Sequence, residues 1–558
     1  MRVLIALIFL SISFSANAQT ISVGKIGLED YYRRQQLLGN IDSNVSFTVR
    51  PIYPKVKFNK EDVFFTADED VNFKRIDQAS FFSTANSKWK VNLLPLEFKT
   101  QINSHHPYGM NDGPMIPNKG IQAYLSGGFS AEIGMLSIQL NPEFVVASNN
   151  AFDEFNKDHY DVVTARYYDF YNNIDLPTRF GTKAYAKAFI GQSSIRLNHK
   201  SLSVGLSTEN LWWGPALRNS LLMSNNAPGF AHLTLNTIKP INTKFGSLEG
   251  QIIAGRLKGS GYAPLAEDRF YFNSNLYVPK SEDWRYLTGF VFTYQPKWVP
   301  GLFLGLTQTK QLYSKDLNEI GDYLPFLSSN KNTVAQANNL PDQRYSYFLR
   351  WLWSKEQAEF YIEYGKNNYR ETARENALRP ETSRGYTVGV RKLIPFGSRN
   401  KENLMIGVEV SQLQETKPEL IAQGRSWYLN KYIRQGYTHL GEVIGAGIGP
   451  GGNVQSLDVS WVKGLKRLGL QFERYVHNND LYYYIFTESQ DFRRHWVDLS
   501  IGAHGDWNYK NFIFNAKVQA IKSLNYQWYL SQNQNQSYMV KGLDAFNFNV
   551  QLGLSYRF

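Results

Sequence analysis

The last thirteen residues limit what this chain folds into more than any other stretch. Phe546, Phe548, Val550, Leu552, Leu554, Tyr556 and Phe558 take every second position, with Asn547, Asn549, Gln551, Gly553, Ser555 and Arg557 between them. A side-chain period of two is a strand with one apolar and one polar face. Strands of soluble sandwiches usually run to about 5–6 residues. A longer run ending on a terminal aromatic reads as the closing strand of a barrel in a lipid bilayer, hydrocarbon outside and water within.

The alternation recurs upstream. Tyr345, Tyr347, Leu349, Trp351 and Trp353 lead through Ser354-Lys355-Glu356 into Ala358, Phe360, Ile362 and Tyr364. Ile121–Ile133 turns at Gly134 into Leu136, Ile138 and Leu140. Further strands are expected at Tyr286–Tyr294, Leu302–Leu306, Tyr386–Val390, Leu404–Val410, Val459–Trp461, Leu468–Phe472, Trp496–Ile501 and Phe512–Val518. Many start or stop on Tyr, Trp or Phe, as aromatic girdles do. Short turns alternate with longer polar loops such as Tyr313–Gln343 and Ser531–Ser537, the periplasmic and extracellular ends of such a barrel. In lipid only helices and closed barrels satisfy every backbone group. Beyond the N-terminus no run approaches the ~18 apolar residues of a spanning helix. The reading is an all-β, transmembrane antiparallel barrel.

Composition removes the competitors. Aromatics make up 15% and charged residues only 19%, the reverse of a disordered chain, and zero Cys excludes a disulfide scaffold. Arg2, the apolar Val3–Phe14 and Ala16-Asn17-Ala18 read as a cleaved secretory signal over residues 1–18. Its removal lowers the formal charge from +12 to +11. Residues 19–86 are expected to form a small periplasmic cap or plug with a short amphipathic helix at Leu28–Gly39, and residues 87–558 the barrel.

Catalytic and cofactor signatures are missing. Gly447-Ile448-Gly449-Pro450-Gly451-Gly452 fits a dinucleotide pattern only formally, because Pro450 and Gly451 would start the required helix badly. Asp68, Asp70 and Asn72 open like a calcium loop, but Phe73 stands where the sharp turn needs glycine. His105 and His106 are adjacent and on a strand would face opposite ways, so no shared metal is expected. Glu209, Glu359 and Glu363 could supply a glycosidase pair only at a separation that sequence does not give. No catalytic residue, metal, cofactor or nucleic-acid partner is expected.

Three stretches break the strand rhythm. One runs Glu209-Asn210-Leu211-Trp212-Trp213-Gly214-Pro215, through Arg218-Asn219-Ser220, to Ser224-Asn225-Asn226-Ala227-Pro228-Gly229. A second is Gly436-Tyr437-Thr438-His439, then Gly441-Glu442 and Gly445–Gly451. The third is Ser104–Gly113. Together with Arg33–Gly39, Ser46–Pro51 and Asp342-Gln343-Arg344, they resemble the Wzi-type capsule assembly proteins of bacterial outer membranes, particularly the Bacteroidota branch. Ala216, where relatives are expected to carry glycine, departs from the pattern, and the N-terminal segment is thin in helix for the family's periplasmic helical bundle.

The resemblance implies an outer-membrane barrel of 18 strands that acts as a non-enzymatic lectin for capsular or extracellular polysaccharide. It suggests sugar contact by Asn210, Trp212, Trp213, Arg218, Asn225 and Asn226, and by Trp427, Tyr428, Arg434 and Tyr437. Aromatic faces stack on sugar rings, and Arg, Asn and Gln bond hydroxyls and carboxylates. The basic balance suits an acidic polymer or lipopolysaccharide phosphates equally. Other expected partners are membrane lipid and the barrel assembly machinery through Phe558, with the protein a monomer. A channel or transporter for saccharides or other solutes is the alternative, since an open barrel of this size leaves an aqueous lumen.

Overall fold

The computed structural model describes residues 20–25, 27–53, 57, 64, 82–83, 89–155, 159–264, 267–327, 341–367, 373–378, 380–396, 402–415, 426–487, 494–529 and 544–558. The signal segment and the Asp68–Phe73 loop lie outside these residues.

Eighteen antiparallel strands close one ring. They are β1 (Trp89–Asn103), β2 (Gly120–Ile133), β3 in two halves (Leu136–Leu140, Glu143–Ala147) and β4 in two halves (Tyr185–Phe189, Ser194–His199). Next come β5 (Leu202–Ser207), β6 (His232–Thr237), β7 (Gly246–Leu257), β8 (Arg285–Pro296) and β9 (Leu302–Tyr313). Then follow β10 (Asp342–Trp353), β11 (Ala358–Asn367), β12 (Arg384–Pro395) and β13 (Asn403–Gln412). The last are β14 (Asn453–Lys463), β15 (Lys466–Val476), β16 (Val497–Tyr509), β17 (Phe512–Leu524) and β18 (Ala545–Tyr556). Each pairs with its chain neighbour, and the seam joins β18 to β1 from Asn549↔Asn103 to Tyr556↔Leu96.

The alternation becomes an apolar exterior and a polar interior. Phe98, Leu125, Leu206, Leu470 and Phe548 are exposed on the outer wall, whereas Gln101, Gln122, Arg350, Glu359 and Asn549 are buried on the inner one. Turns at one end are tight: Gly134 and Gly464 sit at φ +59° and +56°, where glycine carries no Cβ penalty. The C-terminus shares this end, and the connections at the other end are all longer, which makes that end extracellular.

Several elements differ from the sequence expectation, each for a local reason. In β1 the apolar face switches from Leu93 to Leu96 across a bulge between Leu94 and Glu97, so Pro95 hides a continuous strand behind a phase slip. In β7 the outward positions include Gly250 and Ala254, too small to register as an apolar face. Strands β3 and β4 alternate correctly but both break near Asn141 and Gly191, which form an isolated bridge, and β5 and β6 are only six residues each. Apart from the wall strands, α1 (Leu28–Leu37) stands where a helix is expected. The two longer helices of the extracellular loops, α2 (Asp161–Tyr171) and α3 (Asn479–Phe486), stand where none is expected.

The lumen is filled rather than open. At the periplasmic end Leu37 packs among Phe303, Leu352, Leu393, Met405 and Val462, while Ile21, Leu28, Tyr31 and Tyr32 meet Leu94, Leu465 and Ile513. Above them, a larger apolar cluster within the ring joins Trp213, Leu221, Trp427, Tyr428 and Tyr437 to Phe348 of the wall.

Candidate functional site

The three rhythm-breaking stretches meet inside the barrel. The loop after β5 descends into the lumen, where Trp212 and Trp213 pair with Arg50 and Val49 as a two-residue antiparallel ribbon. Gly214 N–H donates to the Thr48 carbonyl at 2.9 Å and Ser224 N–H to Ile444 at 2.9 Å. Gly113 N–H donates to Asn225 at 2.8 Å, and Asn226 Nδ2 to Val443 at 3.0 Å. The Tyr428 hydroxyl donates to Leu221 and accepts from Ala446 N–H, at 2.8 and 2.9 Å. The glycine density follows from this knitting. A Cβ on Gly445 would stand 2.2 Å from the Leu221 carbonyl oxygen, and one on Gly447 2.5 Å from Asn226. The three loops and the N-terminal segment thus form a septum across the lumen.

Charged wall residues pin this assembly. Glu409 on β13 accepts the backbone N–H groups of Leu217, Arg218 and Asn219 at 2.8, 3.2 and 2.9 Å, and the Tyr361 hydroxyl at 2.8 Å. Glu359 on β11 is shared by Arg33 of α1 and by Arg350 and Arg391 of the wall, at 3.0, 2.7 and 3.0 Å. Glu209 takes Arg196 at 2.6 Å and the Thr20 hydroxyl at 2.7 Å. Glu363 accepts from Ser346 at 2.7 Å. The carboxylates weighed as a hydrolytic pair are therefore all engaged in interior contacts.

Most of the aromatic residues singled out from sequence are walls rather than open platforms. Trp213, Trp427, Tyr428 and Tyr437 are fully buried and Trp212 nearly so, under the Arg50 guanidinium 4.5 Å away. Trp213 Nε1 donates to Gln251 at 2.8 Å. None of these five rings presents a free face. Asn210 is held by Gln192 and by the Ala227 carbonyl, and Asn225 and Asn226 bond backbone across the septum. Arg218 faces an inner chamber of about 440 Å³ between the septum and α1, paired with Glu473 at 2.5 Å. Arg434 reaches the outer side. Its guanidinium donates to the carbonyls of Asn172, Pro279 and Val278 and so fastens the end of α2 to the loop before β8.

Beyond the septum an open groove of about 710 Å³ faces outward, lined by Phe155, Tyr167, Tyr171, Tyr277, Tyr526 and Tyr529. Arg179, Arg269 and Lys280 supply cations, Asp153, Glu154, Asp175 and Asp544 acids. Phe155 stacks between His159 and Tyr167, at 4.2 and 4.1 Å, and α2 is braced on α3 by Arg166 Nη1 to the Tyr484 carbonyl at 2.8 Å. Sequence reasoning missed this groove. The one signal was the run Arg166-Tyr167-Tyr168-Asp169-Phe170-Tyr171, whose helical spacing puts Tyr167 and Tyr171 on one face. The His105 and His106 rings also depart from the strand expectation. They lie in a loop bend in edge contact, Nδ1 to Nδ1 3.2 Å. Among the described residues no group of three metal-ligating side chains gathers.

The loops carry a pH dependence. Burial pushes the Asp480 carboxyl up to about 6, and burial with the Asp480 charge pushes Glu415 up to about 8. Asp480 accepts from Glu415 N–H at 2.9 Å and from the Ser426 hydroxyl at 2.5 Å. Carboxyls raised above an ordinary value of about 4 favour the fold fully below that value and lose the contribution as pH climbs through the folded values. Hydrogen-exchange protection over 426–446 is expected to fall between pH 4 and 8 and level off above. Glu415→Gln should flatten the upper part of that slope, and an unchanged profile in the variant would refute the assignment.

Apolar clusters within the lumen beneath an aromatic, charged groove define the class: a transmembrane β-barrel whose interior is packed with its own loops and N-terminal segment. The sequence pattern of the family of capsule assembly protein Wzi matches residues 100–527, and the chain belongs to that family. Its fold is that of Wzi from Escherichia coli, described as an outer-membrane protein involved in group 1 capsule assembly and a carbohydrate-binding β-barrel. The two are 12% identical over 97% of this chain and 100% of the other, with a TM-score of 0.60. OprB of Pseudomonas putida (10% identity, 84% and 94% covered, TM-score 0.35) and OprD of Pseudomonas aeruginosa (7%, 86% and 95%, 0.37) are more distant. No curated protein sequence matches the chain.

Proposed function

We propose that this barrel binds capsular or extracellular polysaccharide non-enzymatically and anchors it at the cell surface, with the groove above the septum as the saccharide site. The carrying observation is the groove itself: aromatic side chains, cations and hydrogen-bonding groups gathered over a lumen that is blocked beneath them. Sugar rings present apolar faces to Tyr167, Tyr171 and Tyr277, and their hydroxyls and carboxylates meet Arg179, Arg269 and Lys280. In this reading Arg434 holds the groove in shape. Asn210, Trp212, Trp213, Arg218, Asn225, Asn226, Trp427, Tyr428 and Tyr437 build the partition below it. The protein is an outer-membrane barrel by fold. A cleaved leader at residues 1–18, recognition of Phe558 by the assembly machinery, contact with lipopolysaccharide and a monomeric state complete the proposal.

The test is binding of the organism's own purified capsule to detergent-purified protein, alongside conductance in planar bilayers. Tyr171→Ala with Tyr277→Ala is expected to weaken binding about tenfold, equivalent to about 1.4 kcal/mol, and wild type to show no steady current. Groove variants that bind as wild type does would refute the site. A large open-channel current would favour the transporter instead, and shortening of the polymer a hydrolase.

A further inference from the structure

The outward face of the barrel carries a charge pattern that the polysaccharide reading does not use. Among the described residues, no Asp or Glu occupies an outward position on β1 to β18. At the extracellular ends of those faces stand cations, three of them exposed: Arg256, Arg474 and Lys522. Strand register aligns two of the three. Gln455 pairs with Arg474, Arg474 with Leu499, and Leu499 with Lys522, so the four form one lateral row across β14 to β17. At the usual spacing of about 4.8 Å per strand, the two cations are about 10 Å apart at one height.

Of the two aligned cations, Arg474 is, among the described residues, the one without an acidic partner. Its guanidinium donates to the neutral Gln455 Oε1 at 3.0 Å and makes no ion pair among the described residues. Lys522, by contrast, keeps Asp544 at 3.4 Å. Directly beneath Arg474, on the bilayer side, an open furrow of about 560 Å³ runs between Val408, Leu457, Phe472, Leu499 and Ile501. The furrow lies in the hydrocarbon zone and the guanidinium at the level of the headgroups, where a forked donor matches a phosphate.

We propose that Arg474 and this furrow form a site for a phosphorylated glycolipid of the outer leaflet, the phosphate on Arg474 with Lys522 close by and an acyl chain along the furrow. The assignment rests on the outer-membrane reading and on the long loops being extracellular. It does not depend on which residues hold polysaccharide.

Full-length mature protein is taken from phosphatidylcholine vesicles doped with either bisphosphorylated lipid A or its dephosphorylated form, and retained lipid is counted by native mass spectrometry. Wild type is expected to keep one phosphorylated glycolipid, and Arg474→Glu at least tenfold less. Arg474→Lys should fall between them. Lys392→Glu, a charge reversal at the opposite rim, should match wild type. Excess inorganic phosphate should leave retention unchanged, because the furrow holds the chain. Equal retention by Arg474→Glu, equal retention of the dephosphorylated lipid, or displacement by free phosphate would each overturn the proposal. Capsule binding by Arg474→Glu, measured beside it, should equal wild type, so a failed lipid site leaves the saccharide reading standing.

Discussion

Replacing Glu359 with Gln is expected to loosen the N-terminal segment inside the barrel and give the largest loss of stability among single wall substitutions. One carboxylate is shared by three guanidiniums, those of Arg33, Arg350 and Arg391, all of them buried. The amide keeps the volume but removes the charge, leaving Arg33 with no other ion-pair partner among the described residues. Arg391 retains Asp30 at 2.6 Å. Breaking one side of a buried pair costs about 3–5 kcal/mol. Limited proteolysis and hydrogen exchange over Leu28–Leu37 are the measurements, and α1 should lose protection before the wall does. In Arg33→Met/Glu359→Gln the two costs should sum to less than additive, because the variants share one interaction. Strict additivity would mean that Arg33 does not depend on Glu359.

Glu409→Ala is the second large effect, and it acts on the septum rather than on α1. Three consecutive backbone N–H groups and the Tyr361 hydroxyl lose their acceptor. A buried donor left unpaired costs about 1–3 kcal/mol, so a total on the order of 4 kcal/mol is expected. The segment Leu217–Asn219 should then open the inner chamber to the outer groove, read as new cleavage sites between residues 214 and 226. A current should appear in planar bilayers where wild type has none. Glu409→Gln keeps one acceptor oxygen and should show a smaller change. If the alanine variant stays closed and protease-resistant, the septum is held by its apolar contacts and not by this carboxylate.

Period two is a property of neighbours along the chain, which is why the wall could be read from sequence and much of the site could not. Phe546–Phe558 and Tyr345–Tyr364 announce lipid on one side and water on the other, whatever the rest of the molecule does. The pattern failed where a local event changed its phase or hid it: the bulge at Leu94–Glu97 and the small outward residues of β7. The loops obey no such period. Their glycines and tryptophans signalled something unusual, and the structure brings those stretches together, but not as open sugar platforms. Trp213 and Trp427 are large because a wide ring must be filled, and Gly445 is small because Leu221 passes against it. The groove stayed unseen because its sides come from segments as far apart as Phe155, Tyr277 and Tyr526, which only the closed ring makes neighbours.

The position of the N-terminal segment has a consequence for how the molecule is made. Arg33 meets a partner 326 residues away, and Arg34 donates to Gly464, 430 residues on. Thr20 reaches Glu209, 189 residues on, in the loop after β5. Once β18 and β1 have zipped together, the septum bars entry from above, and the wall carboxylates lie on surfaces already enclosed. A segment already inside when the seam seals would have the sheet wrap around it, as a stave-built cask is raised around a form. Such distant contacts make closure the slow, final event of folding. The partly curled sheet, its two free edges still unpaired, is the form of this protein most exposed to misassembly.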